Sequence, residues 1–208
     1  MASLFVQLHT HSSYSPMSGV PTLEALCQAA RAQGQDTLAL TDTNGLYGAI
    51  RFLDVAREAG LKPILGAELR HDTHRAVLLA QTPAGYGNLC RILSARHGDE
   101  SFDFIGAVAR YRAGLMILSD DLPALTAWRQ DSTEALYVEL TPGPDLHEAL
   151  AFSRRTGLPP VATTRAMFLR PADYQAHRLL RAIAENTTLS PLRSDPISVV
   201  PRRTGSCR

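Results

Sequence analysis

Several things are scarce in this chain. Its three cysteines, Cys27, Cys90 and Cys207, are spread over 208 residues. An odd number at such spacings gives neither a disulfide framework nor a zinc knuckle, and it fits a reducing compartment. No apolar run approaches the roughly 20 residues needed to cross a bilayer, and Met1-Ala2-Ser3-Leu4 lacks the basic and apolar regions of a secretory leader. The expectation is a cytoplasmic, soluble protein with no membrane partner. Lysine is nearly absent, Lys62 being the only one, so the positive charge is carried by arginine. Aromatic residues make up 6%. In the basic C-terminal quarter the aromatics that could stack on bases are Phe168 and Tyr174, and both suit packing positions. Contact with DNA is therefore expected to be weak or indirect, and strongly salt-dependent.

What is present supports one domain. At 208 residues, 45% hydrophobic and 20% charged, the chain can fill a single core and is too short for two domains and a linker. The net charge of +1 hides an asymmetry: residues 1–150 hold 11 Lys and Arg against 17 Asp and Glu, and residues 151–208 hold 10 against 3. The basic end, with Arg154, Arg155, Arg170, Arg178 and Arg181, reads either as a face for a polyanion or acidic neighbour, or as a solvated surface.

Apolar segments of strand length alternate with segments of helical period. Phe5–Leu8 precedes Leu23, Leu26, Cys27 and Ala30 at helical spacing, closed by Gly34; Thr37–Thr41 precedes Leu46, Ile50 and Leu53, closed by Gly60. The alternation continues through Pro63–Glu68, Ala76–Ala80, a helix around Tyr86–Ala95, Leu115–Leu118, Leu122–Gln130, Leu136–Leu140, Pro144–Arg155, Val161–Thr163 and a last helix from Pro171 to about Ala184. About seven such strands in one domain imply an α/β fold with a mainly parallel sheet, closed as a β/α barrel or left open and doubly wound.

Polar residues recur at the C-terminal ends of these strands, the edge where a β/α barrel carries its chemistry. His9 and His11 follow the first, Asp42 the second and Glu68 the third, while Ser119, Asp120 and Asp121 follow Leu115–Leu118. Two histidines at i and i+2 leaving a strand project to one side and can share a metal ion. Against that stand plainer roles: Asp42 as a helix cap, Glu68 as a pair partner for Arg70.

Four segments carry a family resemblance. Leu8-His9-Thr10-His11-Ser12-Ser13-Tyr14-Ser15, Ala39-Leu40-Thr41-Asp42 followed by Gly45-Leu46-Tyr47-Gly48, Leu61 through Glu68, and Gly85-Tyr86-Gly87-Asn88-Leu89 through Ser94 resemble the polymerase-and-histidinol-phosphatase (PHP) domain. They are most similar to the form found at the start of bacterial DNA polymerase III alpha subunits and error-prone polymerases. The resemblance runs from about Phe5 to Ser190 and implies a PHP domain over residues 1–190 as a distorted seven-stranded β/α barrel. Residues 191–208, rich in Pro, Arg and Ser, are expected to form a flexible tail.

Intact members hold up to three divalent metals, zinc or manganese, for phosphoester hydrolysis and, in some polymerases, 3′–5′ proofreading. The resemblance carries ligand roles onto His9, His11, Glu68 and His74; in a hydrolytic enzyme Asp42 is the candidate base. Other ligand positions have changed: Ser18 stands for an aspartate, Thr43 for a histidine, Ser119 for a cysteine or histidine, and Arg165 and Met167 for the final Asp-x-His pair. A cation about 5 Å from a divalent ion opposes it by roughly 7 kcal/mol at an effective dielectric near 20, so the exchange at position 165 is the heaviest. The chain is expected to be a polymerase-type PHP domain with a degenerate metal site and reduced metal occupancy, acting in replication or repair through contacts with a polymerase body. Arg165 is expected to enter the vacated volume and pair with Glu68 or Asp42. The alternative is a metal-dependent phosphoesterase or 3′–5′ exonuclease with a reduced site. The chain has no room for the catalytic domains of a polymerase.

Overall fold

The computed structural model describes residues 5–189; the expected tail at 191–208, and Cys207 within it, lie outside the described residues. Six strands form one sheet in the order β1-β2-β3-β4-β5-β6, the order of the sequence. They are β1 (Thr37–Leu40), β2 (Lys62–His71), β3 (His74–Ala80), β4 (Leu115–Ser119), β5 (Leu136–Leu140) and β6 (Pro160–Ala162). The helices are α1 (Leu23–Ala32), α2 (Ala49–Glu58), α3 (Pro83–Gly98), α4 (Phe104–Tyr111), α5 (Leu122–Asp131), α6 (Leu146–Thr156) and α7 (Tyr174–Ala184).

Local chemistry sets these boundaries. In α1, Leu23, Leu26, Cys27 and Ala30 recur at helical spacing and are all buried, and the Thr22 side chain accepts the Ala25 amide to cap the first turn. Asp121 caps α5 in the same way through Ala124, and Gly157 closes α6 in the left-handed conformation, φ 76°. Strand side chains alternate between two cores. On the helix side, Leu69, Leu78, Ile117 and Val138 pack with Leu89, Ile92, Phe104 and the fully buried Trp128. On the other side Ala39, Val77, Leu79 and Leu118 form a smaller core with Ile64, Met116, Tyr137 and Val161. The rows that build this second core lead, at the rim, into Glu68, Arg70, Arg75 and Glu139.

The sheet is mainly parallel, as expected: β1–β2, β4–β5 and β5–β6 are parallel, and of the six strands β3 alone runs the other way, antiparallel to β2 and β4. Only Asp72 and Thr73 separate β2 from β3, and two residues suffice for a hairpin but not for a crossover. One expectation needs correction, the seventh strand. Among the described residues Phe5–Leu8 forms no strand; Gln7 makes one bridge to Leu38, and Thr10 one to Ala166. Side-chain hydroxyls take over bonds that a ladder would make: Thr41 Oγ1 accepts the Thr10 amide at 2.9 Å, and Thr10 Oγ1 donates to the Ala39 carbonyl. The segment still spans from β1 to the residues after β6, since the His11 amide donates to the Ala166 carbonyl at 2.9 Å and the Ala166 amide to the His9 carbonyl at 3.1 Å. That placement carries both histidines to the C-terminal rim.

Candidate metal centre and the arginine rim

His9 and His11 are wholly buried, and the partners of their Nδ1 atoms decide what their Nε2 atoms can do. Ser15 Oγ donates to Asp42 Oδ1 at 2.6 Å and accepts the Thr43 amide at 3.1 Å. Its remaining lone pair faces His11 Nδ1 at 2.9 Å, so that nitrogen must carry a proton and His11 Nε2 is a bare acceptor. His9 Nδ1 lies 2.6 Å from Glu139 Oε1 and donates to it. The two Nε2 atoms then meet at 3.0 Å, and something positive must lie between them, either a proton or a metal ion.

Glu68 is the third member. Its Oε1 is 3.5 Å from His9 Nε2, its Oε2 is 3.8 Å from His11 Nε2, and the donor atoms of the trio all lie within 4.8 Å of one another. Oε1 is buried and without a hydrogen-bond partner. Two imidazoles and a carboxylate, each imidazole anchored through its far nitrogen, suit one zinc-like ion. In the metal-free protein the proton takes that place. Burial alone would lower His9, but Glu139 and Glu68 outweigh it and raise its pKa from 6.5 to about 9. Burial, with the charges of His9, Arg70 and Arg75, pushes His11 down to about 3. Burial would raise Glu68, yet the imidazoles and Arg70 hold it well below the usual carboxylate range.

The other expected residues separate into distinct roles. Asp42 is consumed by the loop after the histidines: Oδ1 accepts the Ser12 amide at 2.7 Å and the Ser15 hydroxyl, and Oδ2 accepts the Ser12 hydroxyl at 2.8 Å. It orients Ser15, and through it His11; burial raises its pKa. His74 lies away from the trio, with Nδ1 2.6 Å from Asp121 and its ring stacked on Phe104. Among the positions expected to have lost a ligand, Thr43 donates to Glu68 Oε2 at 3.0 Å, Ser119 donates to the Arg75 carbonyl at 2.6 Å, and the Ser18 carbonyl faces His177 Nδ1 at 2.7 Å. Met167 and Arg165 line the wider cavity beside the trio, Arg165 with a positive φ of 45°.

The cations against Glu68 come from elsewhere. Arg70 Nε is 2.8 Å from Oε2 and Arg75 Nε 4.0 Å from Oε1, while the partners of Asp42 are Ser12 and Ser15. Glu68 and Arg70 are two apart on β2, hence on one face, and the hairpin sets Arg75 directly across from Arg70. Sequence reasoning offered Arg70 as a pair partner of Glu68 but missed Arg75 as a neighbour of the centre. It also missed Glu139, although an acid inside Leu136–Leu140 at a strand end was a readable signal.

Comparison with known proteins places this geometry. The PHP domain family matches residues 7–137, more than half of the chain. The chain belongs to the PHP domain family. Its PHP domain is 30% identical over 223 residues to the DNA polymerase III subunit alpha of Escherichia coli, covering 89% of this chain and 19% of that protein. It is 46% identical over 94 residues to an error-prone DNA polymerase of Symbiobacterium thermophilum, covering 45% of this chain and 9% of that one. The chain thus spans a fifth or less of these relatives. Among solved structures, the PHP fold is shared with a two-domain protein from Bacteroides vulgatus described as containing a predicted PHP-like metal-dependent phosphoesterase, at TM-score 0.59 and 15% identity over 78% of this chain and 51% of that one. An amidohydrolase from Chromobacterium violaceum, with bound sulfate and no metal, superposes with TM-score 0.56 and 15% identity over 87% and 99%. No helix among the described residues is long and apolar enough to cross a membrane.

Proposed function

We propose that this chain is the PHP domain of a DNA polymerase III alpha-type protein, replicative or error-prone, whose multi-metal hydrolytic centre has degenerated and whose role in replication or repair is structural. One observation carries the reading: Arg70 and Arg75 lie against Glu68, one at each oxygen of the carboxylate. A family member using several ions needs that carboxylate to face metal. Guanidinium groups there supply fixed positive charge and oppose each further divalent ion by several kcal/mol, about 7 kcal/mol for a cation about 5 Å away. The trio retains donors for one zinc or manganese ion, and Asp42 positions His11. The partner that fits such a domain is a polymerase body in the cytoplasm, with DNA reached through that body.

Metal analysis tests the reading. Chelator-free protein should carry about one ion or fewer per chain, none in Glu68→Ala, and should hydrolyse neither a phosphomonoester nor a single-stranded 3′ end with zinc or manganese. Two or more ions per chain with hydrolysis lost in Glu68→Ala would establish instead a reduced phosphoesterase or exonuclease. The observation that favours this second reading is the pair of Nε2 atoms converging beside the unpartnered Glu68 Oε1.

A further inference from the structure

Beside the buried trio opens a cavity of about 690 Å³ whose wall is strongly cationic. Arg70, Arg75, Arg96, Arg165 and Arg181 line it. The aspartates that share the wall are fewer: Asp72, Asp120 and Asp145. Cross-strand register places Arg70 directly opposite Arg75, an arrangement of like charges that disfavours the sheet unless an anion answers it. Glu68 and Asp120 answer part of it. Arg96 adds a third guanidinium with no carboxylate partner among the described residues.

The backbone that carries Arg70 is held in place, and Arg96 is tethered to it. Asn44 clamps the Arg70 backbone twice, its Oδ1 accepting the Arg70 amide at 2.7 Å and its Nδ2 donating to the Arg70 carbonyl at 3.0 Å. Arg96 Nε donates to that same carbonyl at 2.9 Å, which tethers the guanidinium through one nitrogen. His97 Nε2 lies 2.6 Å from the Asn44 carbonyl and braces the loop. Asn44, Asp72 and Arg165 all hold left-handed backbone at this wall, with φ of 51°, 51° and 45°, a cost that surrounding structure must sustain.

We propose that Arg70, Arg75 and Arg96 form a metal-independent binding site for a phosphate group, guanidinium donors taking the place that ions hold in hydrolytic relatives. The inference rests on the reading that the multi-metal centre has been replaced at Glu68. Planar guanidinium groups match the oxygens of a phosphate monoester and remain charged at every working pH. The cavity is of a size that admits a nucleotide as well as a free ion. The ligand is bound and not cleaved.

The full chain, stripped of metal by a chelator and then dialysed, is titrated calorimetrically with inorganic phosphate and separately with deoxyadenosine 5′-monophosphate. Saturation near one equivalent by either probe, tightening as salt is lowered, supports the site, and the tighter probe names the source. Arg96→Gln should weaken binding roughly tenfold, the loss of one charge-assisted contact. Arg181→Gln should weaken it about threefold or less, because Arg181 pairs with Glu185 and sits at the outer edge. Arg51→Gln on α2, outside the cavity, should leave it unchanged and serves as the folding-matched control. No saturation up to about 10 mM, saturation appearing only after zinc is restored, or undiminished binding in both Arg96→Gln and Arg181→Gln overturns the proposal. Zinc counted in protein that has never met a chelator separates the two conclusions. Two ions per chain would end the degenerate-centre reading, whereas phosphate binding to stripped protein is judged on its own.

Discussion

The imidazole pocket and the arginine cavity share one carboxylate and differ in everything else. His9, His11 and Glu68 have 0% exposure, while Arg70 keeps 37% of its side chain in solvent and Arg75 18%. The sealed pocket must neutralise itself through a few fixed partners, so protonation and metal binding there are alternatives for one position. The open cavity can draw its counter-charge from solution. Glu68 is the hinge between the two regimes: each of its oxygens faces one histidine and one arginine, Oε1 meeting His9 and Arg75 and Oε2 meeting His11 and Arg70. A single strand, by its two-residue repeat, thus supplies the negative end of one site and the positive wall of the other.

The largest effect should follow from breaking the sealed side. Glu139→Ala leaves His9 buried and charged without its partner, and the metal-free protein should lose about 3–5 kcal/mol in urea unfolding. The equivalent change on the open side, Asp120→Ala, should lose well under half of that, since Arg75 can turn toward water.

Next comes pH. The folded-state pKa of His9 is raised from 6.5 to about 9, so its contribution is fully present below about 6.5 and is lost as pH rises through about 9. Unfolding of the metal-free protein should become easier over that window by at most ~3 kcal/mol. Zinc displaces the same proton, so its affinity should rise over the same range and level off above it. A flat stability profile from pH 6 to 9 would show that no proton bridges the two Nε2 atoms.

Arg70→Gln sharpens the contrast by moving the two sites in opposite directions. Removing the guanidinium should tighten zinc about tenfold and weaken phosphate by a similar factor, read by chelator competition and calorimetry. Equal shifts in one direction would mean a general structural change. The smallest effect belongs to Arg51→Ala. Its ion pair with Glu24 is largely exposed, and the melting and both affinities should stay within about 0.5 kcal/mol of the parent.

The helices show how much was legible. The periodicity of Leu23, Leu26, Cys27 and Ala30 located α1 within a residue or two, because an amphipathic helix is written in its own segment. The strands after Thr37 were equally plain. Phe5–Leu8 had the composition of a strand, but hydroxyls of Thr10 and Thr41 took the pairing, and composition does not say where a hydrogen bond goes. The mainly parallel sheet was legible too, and the short Asp72-Thr73 link marks the one strand, β3, that runs the other way. For the site, His9, His11 and Glu68 were readable as strand-end residues. Glu139, the partner of His9 across 130 positions, carried only the weak mark of an acid in an apolar run.

By itself the sequence determined the alternation of strands and helices, the family and the paired imidazoles. Those are local facts, fixed by periodicity and residue chemistry. The tertiary structure decided between Arg70 and Arg165 as the cation that meets Glu68: Arg70 shares the strand face of Glu68, and the hairpin folds Arg75 against both. Electrostatic pairing falls off with distance, and distance between residues far apart in the chain is set by how the strands are laid side by side.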